Sequence, residues 1–155
     1  SLAILGAEVF AITNTLSLNA KFISDRTRPL TYNPDFSLDK RMDKTNKLSF
    51  FSGHTANASA LFIFTAKVMH DYHPNMTRGH KIGMWTLAFG VPAYTGYLRV
   101  KGGKHFYTDV ITGYAVGTFV GWLVPHLHKK ENNKLSIAPF NNGDGAGLTL
   151  TLRLD

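Results

Sequence analysis

RVKGGKHFYTDVITGYAVGTFVGWL, residues 99–123, is the stretch that decides the fold. It opens on a basic, glycine-containing turn and continues over about 105–123 as an apolar segment that favours an α-helix. Glycines recur at every fourth position, at Gly113, Gly117 and Gly121. Because residues four apart share one helix face, this spacing predicts that a second helix packs closely against the segment.

Three other apolar segments carry a helical signal. A helix is predicted over 2–20, where large apolar residues recur at helical spacing, and another over about 52–70. The segment 82–98 has no charged residue and is predicted to be a helix that Pro92 kinks. Pro125 is expected to end the helix that follows His105. Between the first two helices lies a polar, proline-containing loop.

The end of the chain has a different pattern. Residues 135–138 and 148–154 alternate with a period of two, and residues 141–147 between them are rich in glycine and asparagine. This pattern predicts a β-hairpin. We therefore predict an all-α protein with a short C-terminal β-hairpin tail. It divides into a helical core, 1–128, and a linker with the hairpin, 129–155.

The composition limits the classes of function. With 155 residues, 44% hydrophobic and 17% charged, the chain can bury a core and is not intrinsically disordered. It has no cysteine, which excludes disulfides, thiolate metal sites and thiol catalysis. Its net charge of +7 favours an anionic partner: nucleic acid, a membrane surface or phosphate.

The basic residues are concentrated in two windows, 21–47 and 99–104. The first window also holds four aspartates, so most of it is predicted to be a solvated loop. The second holds Arg99, Lys101 and Lys104 without an acidic residue. These cations come immediately before His105, which favours an anion site over a solvated surface.

His105 and Asp109 stand four residues apart, a spacing that places both on one face of a helix. A carboxylate bonded to one imidazole nitrogen fixes the tautomer and makes the other nitrogen a better base or nucleophile. A surface ion pair is the plainer alternative. Asp109 is also expected to interact favourably with the N-terminal dipole of its helix.

Two more groups of residues complete a chemical hypothesis. Ser52, Gly53 and His54 fall at a predicted helix start, where backbone N–H groups bind anions, Ser52 can cap the helix and His54 can act as a general acid. Lys21 and Arg28 offer two further cations. Three cations and a helix N-terminus would hold a phosphate while one histidine attacks phosphorus and the other protonates the leaving oxygen.

In order and spacing these groups resemble the motifs of a superfamily that contains type-2 phosphatidic acid phosphatases, bacterial non-specific acid phosphatases and vanadium haloperoxidases. Its motifs are Lys-six residues-Arg-Pro, Pro-Ser-Gly-His and Ser-Arg-five residues-His-three residues-Asp. Here they are Lys21…Arg28-Pro29, Phe51-Ser52-Gly53-His54 and Leu98-Arg99…His105…Asp109. Phe51 replaces the usual proline and Leu98 the usual serine. The resemblance covers about residues 1–127.

The resemblance implies a helical bundle of the phosphatidic acid phosphatase/haloperoxidase type and a phosphomonoesterase with a phosphohistidine intermediate. His105 would be the nucleophile, Asp109 would orient it, and His54 would be the acid. The phosphate-binding residues would be Lys21, Arg28, Ser52, Gly53 and Arg99. No metal and no other cofactor is implied. The substrate would be a lipid phosphate or pyrophosphate, which the apolar helices and Phe51 favour, in a bacterial cell envelope with the site facing the periplasm.

Other enzyme classes share these motifs. A non-specific periplasmic acid phosphatase would act on small soluble esters. A haloperoxidase would require vanadate, and members of that branch are usually much longer. The preferred hypothesis is therefore a phosphatase that acts on a lipid substrate.

A non-enzymatic anion-binding or nucleic-acid-binding module would depend on the basic loop residues Lys40, Arg41, Lys44 and Lys47. Aromatic residues do not closely interleave them, so nucleic acid is not expected as a partner. Metal binding would depend on the pairs His70 with His73 or His126 with His128. These pairs lack carboxylate or cysteine partners at ligand spacing, which favours surface histidines.

The relation to a membrane is left open by the sequence. The uncharged segments 82–98 and 110–125 are shorter than the roughly 20 apolar residues of a spanning helix, which slightly favours a soluble or peripherally bound domain. The chain begins with Ser1, so we expect a processed or trimmed product. Members of the superfamily often have further helices before the first motif, so we expect a catalytic core of something longer, or a short variant.

Overall fold

The structure is a computed structural model that describes residues 1–128, 135–141 and 146–152. They divide into two compact units, Ser1–Pro125 and the described residues from His126 onward. The first is helical, as predicted. Its helices are α1 (Leu2–Ser24), α2 (Leu38–Met42), α3 (Gly53–Tyr72), α4 (Arg78–Lys101) and α5 (Tyr107–Leu127), with 3₁₀ turns at Pro29–Tyr32 and Lys44–Lys47.

The helix α1 is longer than the predicted 2–20. Asn19, near the predicted end, is compatible with the helix, because its side-chain amide donates to the Thr15 carbonyl 2.9 Å away. The helix instead ends where Asp25 takes a left-handed conformation, with φ of 40°, and donates its backbone N–H to the Lys21 carbonyl. This ending places Lys21 in the last turn of α1.

Both prolines that were expected to disturb helices lie inside them. Pro92 is buried within α4, which continues through it and is longer at both ends than the predicted 82–98. The prediction that Pro125 ends the last helix is wrong, because α5 continues to Leu127. A proline this close to a helix end removes one hydrogen bond of the final turn, which its neighbours tolerate.

The helix α3 is the centre of the helical unit. Its Ala60 packs with Val9 of α1 and with Val120 and Val124 of α5 in one buried cluster. On α3, Ile63 and Ala66 form a second cluster with Ala88 of α4. Burying α3 among three neighbours fixes where its N-terminus lies, and that end carries the second motif.

The glycine stripe of α5 makes the close helix contact that its spacing predicts. A β-carbon at Gly113 would come within 2.6 Å of the Ser52 carbonyl oxygen. β-Carbons at Gly117 and Gly121 would overlap the carbonyl oxygens of Ala56 and Ala60 in the same way. Glycine is therefore required along this face, because the α3 backbone occupies the space of the side chains.

Two strands form the end of the described chain. They are β1 (Leu135–Asn141) and β2 (Ala146–Leu152), which pair antiparallel. The strand bounds differ from the alternating segments in the sequence, since β1 extends beyond residue 138 and β2 begins before residue 148. Residues 142–145 of the predicted turn and 129–134 of the predicted linker lie outside the described residues.

Two segments in the described part of the chain are long and apolar enough to cross a membrane, judged by length and composition. They are Leu2–Tyr32, which contains α1, and Tyr107–Leu127, which is α5. The second contains the uncharged segment 110–125, and the first contains the predicted helix 2–20. Large apolar side chains are exposed on α1, α4 and α5, among them Phe10, Phe22, Ile82, Leu87, Ile111 and Phe119.

Candidate active site

The three motifs meet at one end of the helical unit. Backbone hydrogen bonds hold the segments together: the Ser52 N–H donates to the Asp109 carbonyl at 3.0 Å, and the Leu30 N–H donates to the Gly103 carbonyl at 2.9 Å. Each predicted site residue therefore sits near the end of an element. These residues are Lys21 on α1, Arg28 before the first 3₁₀ turn, Ser52, Gly53 and His54 at the start of α3, Arg99 on α4, His105 in the turn before α5, and Asp109 in the first turn of α5.

His105 is buried, with 2% of its surface exposed, in the turn just before α5. Its Nδ1 lies 2.7 Å from the Ser49 carbonyl oxygen. A carbonyl only accepts hydrogen bonds, so Nδ1 carries the proton and Nε2 of the neutral ring carries the lone pair. The ring is thus held in the tautomer that leaves the Nε2 lone pair available.

The expected bond between His105 and Asp109 is not made. Nδ1 of His105 lies 3.8 Å from Asp109 Oδ2, which is beyond hydrogen-bond distance. The expected shared helix face is also absent, because α5 begins at Tyr107, after His105. The Ser49 carbonyl takes the place that the sequence argument gave to the carboxylate.

Asp109 is fully buried and its two carboxylate oxygens have other partners. Oδ1 accepts from Arg26 Nη1 at 2.6 Å, and Oδ2 accepts from Ser49 Oγ at 2.6 Å and from the Phe106 N–H at 2.9 Å. A buried carboxylate is costly unless it is paired and hydrogen-bonded, and these three donors meet that need. Asp109 also caps the start of α5 through Phe106.

Ser49 and Arg26 were missed by the sequence argument. Arg26 was counted among loop cations, although it stands between the lysine and the arginine of the first motif. Ser49 stands three residues before Ser52, outside the quoted motif. Neither has a spacing signal of its own, since their contacts with Asp109 cross 83 and 60 residues of sequence.

Three cations from separate segments surround the entrance to α3. The Nε atoms of Arg28 and Arg99 are buried without a partner in the described part of the protein. A β-carbon at Gly53 would come within 3.2 Å of Lys21 Nζ and 2.8 Å of Ser17 Oγ. The first turn of α3 therefore lies directly against the ammonium group, and only glycine leaves both groups in place. Cations grouped in this way at a helix N-terminus can hold an oxyanion, and this group of Lys21, Arg28, Arg99 and the start of α3 is called the cradle below.

The cations act on both histidines. Partial desolvation lowers the pKa of His54, and the charges of Arg99, Lys21 and Arg28 lower it further. His54 itself is exposed at the start of α3. A histidine beside three positive charges releases its proton readily, as a general acid must.

The pKa of His105 is lowered to about 4. Burial is the largest cause, and Arg28 and Arg99 add to it, while the Ser49 carbonyl and Asp109 act in the opposite direction. The imidazole is therefore neutral at neutral pH. A neutral imidazole has the lone pair that nucleophilic attack requires.

Ser52 and Phe51 have structural contacts. The Ser52 hydroxyl is buried and bonds Thr55 Oγ1 at 2.9 Å, and it accepts from the Thr55 N–H, as an N-cap does. Phe51 is 5% exposed and packs edge-on against Phe50. Phe51 thus belongs to the core, and the expectation that it favours a lipid substrate from beside the site is not met. Leu98, the other departure from the motifs, is exposed on α4.

The structure gives little support to the two alternative sites, a metal site on histidine pairs and an anion-binding site on the basic loop. In the described part of the chain, no group of three or more His, Asp or Glu residues is placed to hold a metal ion. His70 Nδ1 accepts from Trp85 Nε1 at 3.3 Å. In the basic loop, Arg41 donates to the Thr31 carbonyl and Lys47 lies 3.7 Å from Asp25.

Comparison with known proteins identifies relatives of this chain. The family model of the PAP2 superfamily matches residues 2–133, so it ends before the two strands and supports only the helical part. The chain is 33% identical over 131 residues to a lipid A 4'-phosphatase from Porphyromonas gingivalis, covering 80% of this chain and 50% of that protein. It is 30% identical over 97 residues to phosphatidylglycerophosphatase B from Bacillus subtilis, covering 63% of this chain and 46% of that protein.

A solved structure is also similar. The crystal structure of a transmembrane PAP2-type phosphatidylglycerolphosphate phosphatase from Bacillus subtilis superposes with a TM-score of 0.67 at 28% identity. The match covers 84% of this chain and 60% of that one. The chain spans about half the length of the curated relatives it matches.

Proposed function

The chain belongs to the PAP2 superfamily, and from that premise we propose that it is the catalytic part of a metal-independent lipid phosphomonoesterase of the bacterial cell envelope. The observation that carries the proposal is that three cations, Lys21, Arg28 and Arg99, act on His54, and that two of them, Arg28 and Arg99, also act on His105. His54 is exposed and flanked by positive charge, while His105 is buried and neutral. A phosphate ester held by the cations would lie between an acid and a nucleophile.

The first half of the reaction transfers the phosphoryl group to the protein. Nε2 of His105 attacks phosphorus, a P–N bond forms, and the P–O bond to the alcohol breaks. His54 gives its proton to the departing oxygen, so the alcohol leaves neutral. The cations neutralise the charge on the equatorial oxygens.

The second half returns the enzyme to its starting state. A water molecule attacks the phosphohistidine, His54 takes a proton from it, and the P–N bond breaks. Inorganic phosphate leaves, His105 becomes neutral again and His54 is protonated for the next cycle. The Ser49 carbonyl keeps the ring in one orientation throughout.

Several observations favour a lipid substrate. Helices α1 and α5 are apolar enough to cross a membrane, and α1, α4 and α5 expose large apolar side chains. The two relatives are named as phosphatases of lipid A and of phosphatidylglycerophosphate. We therefore place the chain in the inner membrane with the cradle on the periplasmic side. The catalytic part is the core 1–128, and residues 129–155, with the hairpin, lie outside it.

The proposal is tested by phosphate release. Wild-type protein in detergent is incubated in EDTA with lipid A, a glycerophospholipid phosphate, an isoprenyl pyrophosphate and p-nitrophenyl phosphate. We expect release from at least one lipid at a kcat/KM well above that for the soluble ester. Equal rates on all would favour a non-specific acid phosphatase, and no release from any would overturn the proposal.

A matched pair of histidine variants identifies the nucleophile. His105→Ala is expected to abolish release and to prevent trapping of an acid-labile, alkali-stable phosphoprotein. His80→Ala removes an exposed histidine that bonds Thr77 at the start of α4 and should leave both readouts unchanged. Near-normal turnover by His105→Ala would contradict the assignment.

A further inference from the structure

Arg26 is the one side chain that reaches Asp109 from the first motif. Its Nη1 donates to Asp109 Oδ1 at 2.6 Å and to Thr108 Oγ1 at 2.8 Å. Its guanidinium lies over the Phe106 ring, 4.4 Å from the centroid. With 37% of its side chain exposed, Arg26 closes the solvent side of a carboxylate that is otherwise fully buried. The contacts join the segment after α1 to the first turn of α5.

The backbone of Arg26 acts on the same group of residues. Its carbonyl accepts from the Ser49 N–H at 3.0 Å. Ser49 in turn accepts from His105 through its carbonyl and donates to Asp109 through its hydroxyl. Hydrogen bonds therefore close a ring of Arg26, Ser49 and Asp109, and His105 is attached to that ring through the Ser49 carbonyl.

The charge of Arg26 matters because Asp109 Oδ2 lies 3.8 Å from His105 Nδ1. A carboxylate at that distance stabilises a protonated imidazole, which cannot attack phosphorus. The other charged groups that face His105 are Arg28 and Arg99, and both favour the neutral ring. Arg26 supplies a positive charge in direct contact with Asp109, 2.6 Å from its Oδ1.

From these contacts we infer that Arg26 is a positioning residue for this hydrolysis: it holds Asp109 as a neutral ion pair and so keeps His105 neutral and seated on the Ser49 carbonyl. The inference rests on the proposed function. It separates two roles within the first motif. Lys21 and Arg28 would bind the substrate phosphate, and Arg26 would serve the nucleophile through Asp109.

The test compares Arg26→Gln, Arg26→Lys and a control. Arg26→Gln is expected to lower kcat by roughly tenfold or more with little change in KM, because the cradle keeps its three cations. Its pH–kcat profile should rise at higher pH than wild type, since the uncompensated Asp109 favours imidazolium. Arg26→Lys should restore part of the lost kcat and part of the shift in the pH–kcat profile. Lys47→Gln removes a nearby cation with an exposed aspartate partner and should change neither.

Further measurements keep the inference testable if activity is absent or folding is impaired. An NMR titration of the His105 ring, with labelled histidine, should show a higher pKa in Arg26→Lys and Arg26→Gln than in wild type, and a return toward wild type in Arg26→Gln/Asp109→Asn. An unchanged His105 titration and an unchanged pH profile in the variants would overturn the inference. A wild type without phosphatase activity would contradict the proposed function, while the titration would still decide the role of Arg26.

Discussion

His105 donates its Nδ1 hydrogen to the carbonyl oxygen of Ser49, 2.7 Å away, and Asp109 stays 3.8 Å from the same nitrogen. A carbonyl has no net charge, so it orients the ring while stabilising the imidazolium less than a bonded carboxylate would. The arrangement separates two tasks that the motif spacing assigns to one residue. Ser49 fixes the tautomer, and Asp109 joins α5 to the segments that precede it.

This arrangement predicts an acidic pH optimum. His105 must be neutral to attack, and its pKa is lowered to about 4, so kcat/KM should increase as the pH rises through about 4. His54 must be protonated, and its pKa is lowered from 6.5, so kcat/KM should decrease as the pH rises toward neutrality. The profile for a soluble phosphate ester therefore should be bell-shaped, with its maximum between the two limbs.

The substrate also titrates, since a phosphate monoester has a second pKa of about 6. The His54→Gln variant separates the two sources of the falling limb. We expect the variant to lose the fall that belongs to the enzyme. An identical falling limb in both proteins would assign that limb to the substrate and count against His54 as the acid.

His54→Ala is expected to slow esters with poor leaving groups most. An alkoxide needs a proton as it departs, whereas p-nitrophenolate leaves without help, so the loss should be roughly 10²- to 10⁴-fold on an alkyl phosphate and much smaller on the aryl ester. The ratio of the two kcat/KM values, compared with the ratio for wild type, measures the effect. An equal loss on both esters would argue for a binding role instead.

Gly53→Ala is expected to weaken phosphate binding. The added β-carbon would come within 2.8 Å of Ser17 Oγ and 3.2 Å of Lys21 Nζ, so the hydroxyl must shift and the ammonium group must give way by a few tenths of an ångström at the start of α3. We expect the inhibition constant for inorganic phosphate to rise roughly tenfold, equivalent to losing about 1.4 kcal/mol. Gly83→Ala, on α4 where a β-carbon meets nothing within 4 Å, is the control. Equal inhibition of both variants would show that Lys21 does not bind phosphate.

Gly117→Ala is expected to destabilise the fold by about 1–3 kcal/mol, because its β-carbon would overlap the Ala56 carbonyl and force α3 and α5 apart. Gly90→Ala is the matched change on α4, in open space, and should be neutral or stabilising by up to about 1 kcal/mol. Thermal unfolding in detergent measures the change in stability of the two variants. A Gly117→Ala protein as stable as Gly90→Ala would mean that α3 and α5 are less closely packed than the structure shows.

Much of the fold was predictable from local pattern. The apolar segments gave the helices α1, α3, α4 and α5, and the glycine period of α5 predicted its close neighbour. Helix ends were less predictable, because Asn19 and Pro125 are compatible with a helix when their neighbours complete the turn. The span that contains α1 was not predicted as a membrane segment because polar residues interrupt its apolar ones, and only the structure shows that some of them, such as Thr13 and Ser17, are buried.

In the candidate site, too, the features set by local sequence were predictable and those set by tertiary contacts were not. Fixed spacings within short segments identified Lys21, Arg28, Gly53, His54, Arg99 and His105, and their catalytic and binding roles stay predictions. The partners of Asp109 could not be read in this way, since Arg26 and Ser49 lie far from it in sequence. The sequence by itself determined which chemical groups the protein has and that helices carry them, because motif spacing and helical periodicity are local properties. Only the tertiary structure decided that Ser49 orients His105 and that Arg26 neutralises Asp109, because those contacts exist only once the ends of α1, α3 and α5 have packed together.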